Sequence, residues 1–276
     1  LERRLPRTGR PGVSGTASDL ELARRLADRA DRITTAAFRR SDLRVETKAD
    51  RTPVSEADRA VEADPREVLA AERPADRVVG EEFGDTGDGP RRWIIDPIDG
   101  TKNFVRRIPV WATLLALEVD GTVTVGVVSA PALGRRWWAG RGEGAWAADL
   151  PGGRPAPIAV SGVSDLAHAH LSGNALSSWT ERGGPQPYVD LALACYADRN
   201  LGDFWSHMLV AEGALDIGLD PVVSLWDLAA LQVIVEEAGG RFTDFAGVAR
   251  PDGGSAVSSN GILHDRALAV IAGPAA

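Results

Sequence analysis

Acidic residues are concentrated in three short runs of the chain, and each run lies where a predicted strand ends or a predicted helix begins. The runs are GEEFG (Gly80–Gly84), WIIDPIDGTKNF (Trp93–Phe104) and WDLAALQVIVEEAGG (Trp226–Gly240). A single Glu-Glu or Asp-Pro pair is most often a solvated turn or a helix cap. Three such runs at the ends of elements predict that the acidic side chains meet in one crevice.

Four carboxylates of these runs are candidates for one metal site: Glu81, Asp96, Asp99 and Asp227. Like charges within a few ångströms of one another repel unless protons or cations neutralise them. Oxygen ligands without histidine or thiolate favour Mg²⁺ over zinc, with Mn²⁺ as an alternative. A pair of such ions suits attack on a phosphate ester.

Gly100 and Thr101 follow Asp99 directly, so two backbone amides and a hydroxyl group are predicted to form a phosphate seat if a helix begins there. Phosphatases of the haloacid dehalogenase type also place an Asp before a Gly-Thr pair at a strand end. Their two acids are separated by one residue, whereas two residues separate Asp96 from Asp99. This spacing argues against a phospho-aspartate and favours a water nucleophile.

The first half of the chain is predicted to place these acids on an antiparallel sheet covered by helices. Apolar spacing predicts a helix from Ser18 to Phe38 and another from Val54 to Ala71, with a kink or restart at Pro65. The Asp-Gly pair at 120–121 predicts a tight hairpin. Strands are predicted at Arg77–Val79, Trp93–Ile95, Trp111–Val119, Thr122–Ser129, Trp137–Ala139 and Gly144–Ala147.

The second half alternates strands and helices, which is typical of α/β structure. Gly239 and Gly240 mark the end of its most apolar helix. We expect a disordered N-terminal tail over 1–16, an N-terminal α+β part over 17–150 and a C-terminal α/β part over 151–276. Helices are predicted at Pro187–Ala194, Asp203–Ala214, Trp226–Ala238 and His264–Ile271, and strands at Ala169–Ser172, Leu215–Leu219 and Arg241–Phe245.

Composition excludes several classes of protein. The chain has 276 residues, 44% of them apolar, and a formal net charge of −8, which disfavours a nucleic-acid partner. It lacks an apolar window long enough to span a membrane, and its start lacks a secretory h-region, so we expect a cytoplasmic location. The single cysteine, Cys195, excludes an intramolecular disulfide. No catalytic role is assigned to the histidines, whose spacing does not suit a metal site: His168, His170, His207 and His264.

The three acidic runs resemble the signature motifs of the inositol monophosphatase family of metal-dependent, lithium-sensitive phosphatases, and the resemblance covers residues 18–272. The GTKNF motif with Lys102 and the segments VGVVSAPALGRRWWAGRGEGAW and LGDFWSHMLVAEGALDI are most similar to the bacterial branch that hydrolyses histidinol phosphate. The residues alone support α+β or α/β structure with mixed sheets. The resemblance implies the layered αβαβα sandwich of the inositol monophosphatase-like (sugar phosphatase) fold.

The resemblance also implies a set of metal ligands. Glu81, Asp96 and the carbonyl of Ile98 would hold a first metal ion. Asp96, Asp99 and Asp227 would hold a second, so Asp96 would bridge the two. We expect two or three Mg²⁺ ions per site.

Further residues receive catalytic and binding roles from the same resemblance. Thr101, backed by Asp58, would polarise the attacking water, and Glu82 would assist through a third metal ion or the water shell. Phosphate would rest on the amides of Gly100 and Thr101. Lys48 matches the place where the family has a lysine on a mobile loop over the metals.

The substrate is expected to be a small phosphate monoester. Asp220 matches the family position whose acid contacts the leaving group, and Asp203 is a further counter-charge for a cationic alcohol or, alternatively, the N-cap of a helix. The expected function is therefore histidinol-phosphate hydrolysis in histidine biosynthesis, with inositol phosphates and fructose 1,6-bisphosphate as alternatives. A non-catalytic metal-binding relative is the alternative from another class. We expect a homodimer with neither a nucleic-acid nor a membrane partner.

Overall fold

Helices and strands alternate along the computed structural model, which describes residues 13–47 and 53–272. The helices are α1 (Val13–Phe38), α2 (Glu56–Glu72), α3 (Thr101–Val105), α4 (Gln186–Ala194), α5 (Asp203–Ala211), α6 (Leu225–Glu237) and α7 (His264–Ile271). The strands are β1 (Val45–Thr47), β2 (Pro53–Ser55), β3 (Arg77–Gly80), β4 (Gly84–Thr86), β5 (Arg91–Asp99), β6 (Ala112–Val119), β7 (Thr122–Ala130), β8 (Arg135–Gly140), β9 (Ala145–Asp149), β10 (Ala156–Pro157), β11 (His170–Gly173), β12 (Ala197–Arg199), β13 (Ile217–Asp220), β14 (Arg241–Thr243) and β15 (Ala256–Ser259).

The larger sheet has eight strands in the order β10-β9-β8-β7-β6-β5-β3-β4, and all neighbours are antiparallel except β3 and β5. The predicted hairpin is confirmed, because β6 and β7 pair around the Asp-Gly turn at 120–121, where both residues have positive φ. Side chains alternate between the two faces. Leu115 packs in the core under α1 and α2, whereas Leu114 packs in the core shared with α5 and α6.

Strand β5, a central strand of this sheet, carries the first acids of the second run at its carboxyl end. Its residues from Trp93 to Asp99 are all buried. Asp96 still pairs with Leu114 of β6, but the register shifts between Asp96 and Asp99. The buried strand therefore ends with two carboxylates, as the short apolar run followed by acids predicts.

The smaller sheet has five strands in the order β12-β11-β13-β15-β14. Helices α5 and α6 lie between the two sheets, and α6 is apolar on nearly every side because it contacts both. Helix α6 ends as expected in a Schellman motif, in which Gly239 N–H donates to Glu236 O and Gly240 N–H donates to Val235 O. Helices α4 and α7 cover the outer face of the smaller sheet. The layer order is therefore αβαβα, as expected.

Two helices differ from the sequence predictions. Helix α1 begins at Val13 rather than Ser18, so residues 13–16 belong to a helix and not to a tail, while residues 1–12 lie outside the described residues. Helix α2 continues unbroken through Pro65, so the predicted restart is wrong. Strand β10 still pairs with β9 of the larger sheet, and the division of the chain at residue 150 stays a prediction. None of the helices in the described ranges is both long and apolar enough to cross a membrane.

Candidate active site

Three aspartates meet where β5 ends and α6 begins. One carboxylate oxygen each of Asp96, Asp99 and Asp227 lies within 4.8 Å of the others. Glu81, which follows β3, is close enough to raise the pKa of Asp96. We call these four residues the acidic cluster. The structure therefore brings together the four carboxylates that the sequence predicts as metal ligands.

Burial and repulsion make this cluster electrostatically unfavourable on its own. Burial raises the pKa of Asp96 well above its ordinary value, and Glu81, Asp99 and Asp227 raise it further. The buried Oδ1 of Asp96 has no hydrogen-bond partner among the described residues. An unpartnered oxygen in an all-oxygen donor set fits a hard divalent cation, so the residues present suit the metal that the resemblance implies.

Two acids of the site, Asp58 and Asp227, lie in the first turn of a helix and are held by the N-cap residue of that helix. Ser55 is the N-cap of α2, and its backbone N–H and hydroxyl both donate to Oδ2 of Asp58, at 2.8 and 2.6 Å. At α6 the N–H of Ser224 donates to Oδ2 of Asp227 at 2.7 Å. Both acids occupy the third helical position, where a carboxylate satisfies an otherwise unpaired N–H. The patterns SEAD and SLWD carry this signal in the sequence.

The turn that carries Glu81 and Glu82 is fixed by Glu62 of α2, which sequence reasoning missed. Glu62 is fully buried and accepts the N–H of Glu82 at 2.7 Å and the N–H of Phe83 at 3.1 Å. Arg66 donates to the same carboxylate at 2.8 Å. A side chain at Gly80 would place its Cβ 2.0 Å from Oε1 of Glu62, so only glycine fits there. The turn thus depends on a carboxylate about 20 residues earlier in the chain.

Thr101 begins α3 beside the cluster. Its hydroxyl lies 3.0 Å from the carbonyl of Ile98 and 3.4 Å from Oδ1 of Asp58. Burial raises the pKa of Asp58, and the charge of Glu82 adds to the effect. The expected neighbours Thr101, Asp58 and Ile98 are therefore together, but a hydroxyl has one hydrogen and can donate it fully to only one of the two acceptors.

Gly100 makes the sharp turn between β5 and α3. Its φ is +82°, and a Cβ at this position would lie 2.9 Å from the carbonyl of Val110 and 3.3 Å from Oδ2 of Asp203. The backbone of residues 99–101 can therefore approach Asp203 only because residue 100 lacks a side chain.

Asp99 also ties the two halves of the chain together. Its Oδ2 accepts the N–H of Phe204, in the first turn of α5, at 2.6 Å. The N-cap of α5 is Gly202, so the expectation that Asp203 caps this helix is wrong. Asp203 is instead the first helical residue and has a φ of +49°, a strained value for a residue other than glycine.

Asp203 and Asp220, which we call the carboxylate pair, lie beside the acidic cluster, and the charges of both raise the pKa of Asp99. Burial, with the charges of Asp220 and Asp227, raises the pKa of Asp203 to about 6. Oδ2 of Asp203 accepts a hydrogen bond from Asn103 at 3.2 Å. Oδ1 of Asp220 accepts one from Asn174 at 3.0 Å. The pair is thus held by amide side chains, and Asn103 and Asn174 escaped the sequence analysis.

His207 is a further missed residue. It is fully buried, with Nε2 2.8 Å from Oδ2 of Asp220 and Nδ1 2.8 Å from Oγ of Ser258. A carboxylate only accepts hydrogen bonds, so Nε2 carries a proton and donates it to Asp220. His207 therefore orients Asp220, although its spacing from the other histidines gave no such signal.

A cleft of about 530 Å³ joins the acidic cluster to the carboxylate pair. Its volume suits a small phosphate ester, with room for both the phosphate and the alcohol. Lys48, the remaining predicted site residue, lies outside the described residues. Residues of both sides line the cleft: Glu81, Asp99, Thr101, Asp203, Asp220 and Asp227.

The αβαβα layers and a crowded all-carboxylate site beside a glycine turn define the class of metal-dependent phosphatases. The sequence model of the inositol monophosphatase family matches residues 17–272, and the chain belongs to that family. It is 56% identical to a histidinol-phosphatase of Mycobacterium tuberculosis, over 91% of this chain and 96% of the relative. It is 52% identical to a histidinol-phosphatase of Streptomyces coelicolor, over 91% and 95%. The structure matches a Thermotoga maritima IMPase with a TM-score of 0.82 and 31% identity, over 92% of this chain and 97% of the other.

Proposed function

We propose that this phosphatase hydrolyses histidinol phosphate with the aid of Mg²⁺. The observation that carries the choice of substrate is the carboxylate pair, which lines the same cleft as the acidic cluster. The two relatives named histidinol-phosphatase, at 56% and 52% identity, support the same choice. The alcohol of histidinol phosphate bears an ammonium group and an imidazole, which is the chemistry that two carboxylates bind.

The acidic cluster would hold the metal ions. Glu81, Asp96 and the Ile98 carbonyl would bind one ion, and Asp96, Asp99 and Asp227 a second. When bound, Mg²⁺ stabilises negative charge on a phosphoryl group and lowers the pKa of water. Among the described residues, Oδ1 of Asp96 has no hydrogen-bond partner, and the pKa of this buried carboxyl is raised. Both observations support cation binding by the acidic cluster.

The attacking water would be oriented by Thr101. Donation of its hydrogen to Asp58 leaves the lone pairs of the hydroxyl free to accept a hydrogen bond from water. Asp58 is itself held by two hydrogen bonds from Ser55, so its Oδ1 remains the oxygen available to Thr101. Glu82 would assist as a nearby acceptor in the water shell, and its N–H is fixed by Glu62.

Phosphate would bind at the turn between β5 and α3. The glycine conformation at Gly100 lets the backbone amides of Gly100 and Thr101 approach an anion without a side chain in the way. Lys48 is proposed as a further phosphate contact on the resemblance alone.

The carboxylate pair would bind the leaving group. No Lys or Arg forms an ion pair with Asp203 or Asp220 among the described residues, and Lys102 acts on Asp203 only at longer range. Their hydrogen-bond donors are Asn103, Asn174 and His207, which neutralise little of the charge. An ammonium group entering the cleft would therefore find a negative site that the protein has left uncompensated.

The test is phosphate release by the purified chain with Mg²⁺ on four esters: histidinol phosphate, inositol 1-phosphate, fructose 1,6-bisphosphate and p-nitrophenyl phosphate. We expect kcat/KM to be highest for histidinol phosphate by at least about tenfold, as one charge-assisted contact suffices for that factor. The Asp96→Asn variant, purified in parallel, controls for contaminating phosphatases. A preference for inositol 1-phosphate would refute the substrate, and no release from any ester would indicate a non-catalytic relative.

We further propose two or three Mg²⁺ ions per site, a homodimer, a cytoplasmic location and a role in histidine biosynthesis. The homodimer and the ion count rest on the family resemblance. Light scattering is expected to give twice the chain mass of 29.2 kDa. Equilibrium dialysis is expected to give more than one Mg²⁺ per chain, and a single ion would contradict the bridging role of Asp96.

A further inference from the structure

Asn174 lies between the two members of the carboxylate pair. It directly follows β11, which runs parallel to β13 with Gly173 opposite Leu219, so residue 174 comes level with Asp220. Its Nδ2 donates to Oδ1 of Asp220 at 3.0 Å. The same side chain lies beside the start of α5, with its Oδ1 3.5 Å from where a Cβ at Gly202 would stand, and it lowers the pKa of Asp203 against the effect of burial.

The orientation of the Asn174 amide is settled by a third contact. Its Oδ1 accepts the N–H of Ala175 at 2.8 Å. The NH₂ group must therefore face Asp220, and its second hydrogen is available to Asp203.

The outer oxygens of the pair are held separately. Asn103 donates to Oδ2 of Asp203, and His207 contacts Oδ2 of Asp220 with Ser258 behind it. Asn174 is thus the side chain that adjoins both carboxylates and holds Asp220 in place. A cationic side chain at 174 would neutralise the pair, and an acidic one would add a third repelling charge. A neutral donor fixes Asp220 beside Asp203 and keeps the charge of both for a ligand.

We infer that Asn174 is a specificity-determining positioning residue, which fixes Asp220 beside Asp203 so that the two acids form a joint receptor for an ammonium group on the leaving alcohol. This inference rests on the proposed function. Asn174 acts through the two acids and not on the phosphate, so its influence is confined to substrates with a cationic alcohol. An uncharged ester that uses only the acidic cluster does not depend on it.

The test compares kcat/KM on histidinol phosphate and on p-nitrophenyl phosphate for Asn174→Ala and Asn174→Leu. The leucine variant keeps the branched shape of the side chain and removes both donors. Both variants are expected to lose roughly 10- to 100-fold on histidinol phosphate, mainly through KM, because the binding contacts of a charged group are lost. Activity on p-nitrophenyl phosphate is expected to stay within about threefold of the wild type.

Asn200→Ala is the matched control. Asn200 also lines the cleft, and within the described part of the chain no hydrogen bond joins it to either carboxylate. This variant is expected to keep the preference of the wild type. Equal losses on both esters in the two Asn174 variants would assign a merely structural role and overturn the inference, as would an unchanged preference. If the wild type itself shows no preference for histidinol phosphate, the proposed function is refuted, and this outcome is distinct from a failure of the role of Asn174.

Discussion

The acidic cluster and the carboxylate pair both gather carboxylates in one cleft, but they differ in what holds the carboxylate oxygens. In the acidic cluster, Asp96 has a buried oxygen to which no described residue hydrogen-bonds, and it is surrounded by other acids. In the carboxylate pair, Asp203 and Asp220 accept hydrogen bonds from amides and from an imidazole, and these donors fix their positions.

This difference distinguishes two kinds of cation site. A metal ion bonds directly to oxygens, so its ligands need lone pairs that are not already used in hydrogen bonds. An organic ammonium group is recognised by the position of charges that are already oriented by other partners. On the proposed function, the acidic cluster would therefore contact metal ions directly, and the carboxylate pair would bind the cationic alcohol.

Substitution in the acidic cluster is expected to have the largest effect and to ignore the nature of the alcohol. Asp96→Asn removes a charge that two metal ions would share, so turnover should fall at least about 1000-fold on both histidinol phosphate and p-nitrophenyl phosphate. Steady-state phosphate release at saturating Mg²⁺ measures it. Retention of more than about a tenth of the activity, a difference of only about 1.4 kcal/mol, would contradict the bridging role.

Substitution in the carboxylate pair is expected to separate the substrates. Asp220→Asn should lower kcat/KM for histidinol phosphate roughly 10- to 150-fold, since a hydrogen bond to a charged group is worth about 1.5 to 3 kcal/mol. Activity on p-nitrophenyl phosphate should stay within a few-fold of the wild type. Equal losses on both esters would mean that Asp220 supports the acidic cluster, and the contrast between the cluster and the pair would disappear.

The charge of Asp203 is expected to cost stability in a pH-dependent way. Its folded pKa of about 6 lies above the ordinary 3.8, so the native state keeps a proton that the unfolded chain has released between these values. Stability of the metal-free protein should therefore fall as pH rises through this window, by about 3 kcal/mol.

Asp203→Asn removes this penalty. Denaturant unfolding in EDTA is expected to show the variant more stable than the wild type at pH 7.5, with a smaller gain at pH 4. Asparagine also tolerates the positive φ of residue 203 better, and this part of the gain is the same at both pH values. A gain independent of pH would show that the carboxylate carries no buried-charge cost.

The smallest effect is expected at the cap of α2. Ser55→Ala removes a hydroxyl that accepts from Ala57 N–H at 3.2 Å and donates to Asp58 at 2.6 Å. The loss of the cap should cost about 1 kcal/mol of unfolding free energy. Because Asp58 serves the acidic cluster, kcat should fall by a similar factor on both esters. A selective loss on histidinol phosphate would mean that Asp58 supports the carboxylate pair and not the acidic cluster.

The sequence was informative wherever local pattern determines structure. Short apolar runs that stop at acids located Asp96 and Asp99 at the end of β5, and the Asp-Gly pair at 120–121 located the hairpin. Gly239 and Gly240 located the end of α6. Each of these signals lies within a few adjacent residues, which is the range over which propensity and periodicity act.

The missed residues depend on contacts between distant parts of the chain. Glu62 holds a turn some 20 residues later, Asn174 meets Asp220 through strand register, and His207 contacts Ser258 from another element. A single polar residue in an apolar helix carries no periodic signal of its own. The strain at Asp203 likewise follows from its place between Gly202 and the Asp99 contact, and not from its type.

The middle layer of helices determines how the two halves of the chain depend on each other for folding. Helices α5 and α6 come from the second half of the chain, yet they bury the face of the larger sheet that carries Leu114, Val128 and Trp137. A fragment of residues 17–150 would expose this face, and a fragment of residues 151–276 would expose the other side of both helices. Each half has one core of its own, but the core between the two sheets needs both halves, so we expect the chain to unfold as one cooperative unit. The cleft, which residues of both halves line, exists only when they are folded together.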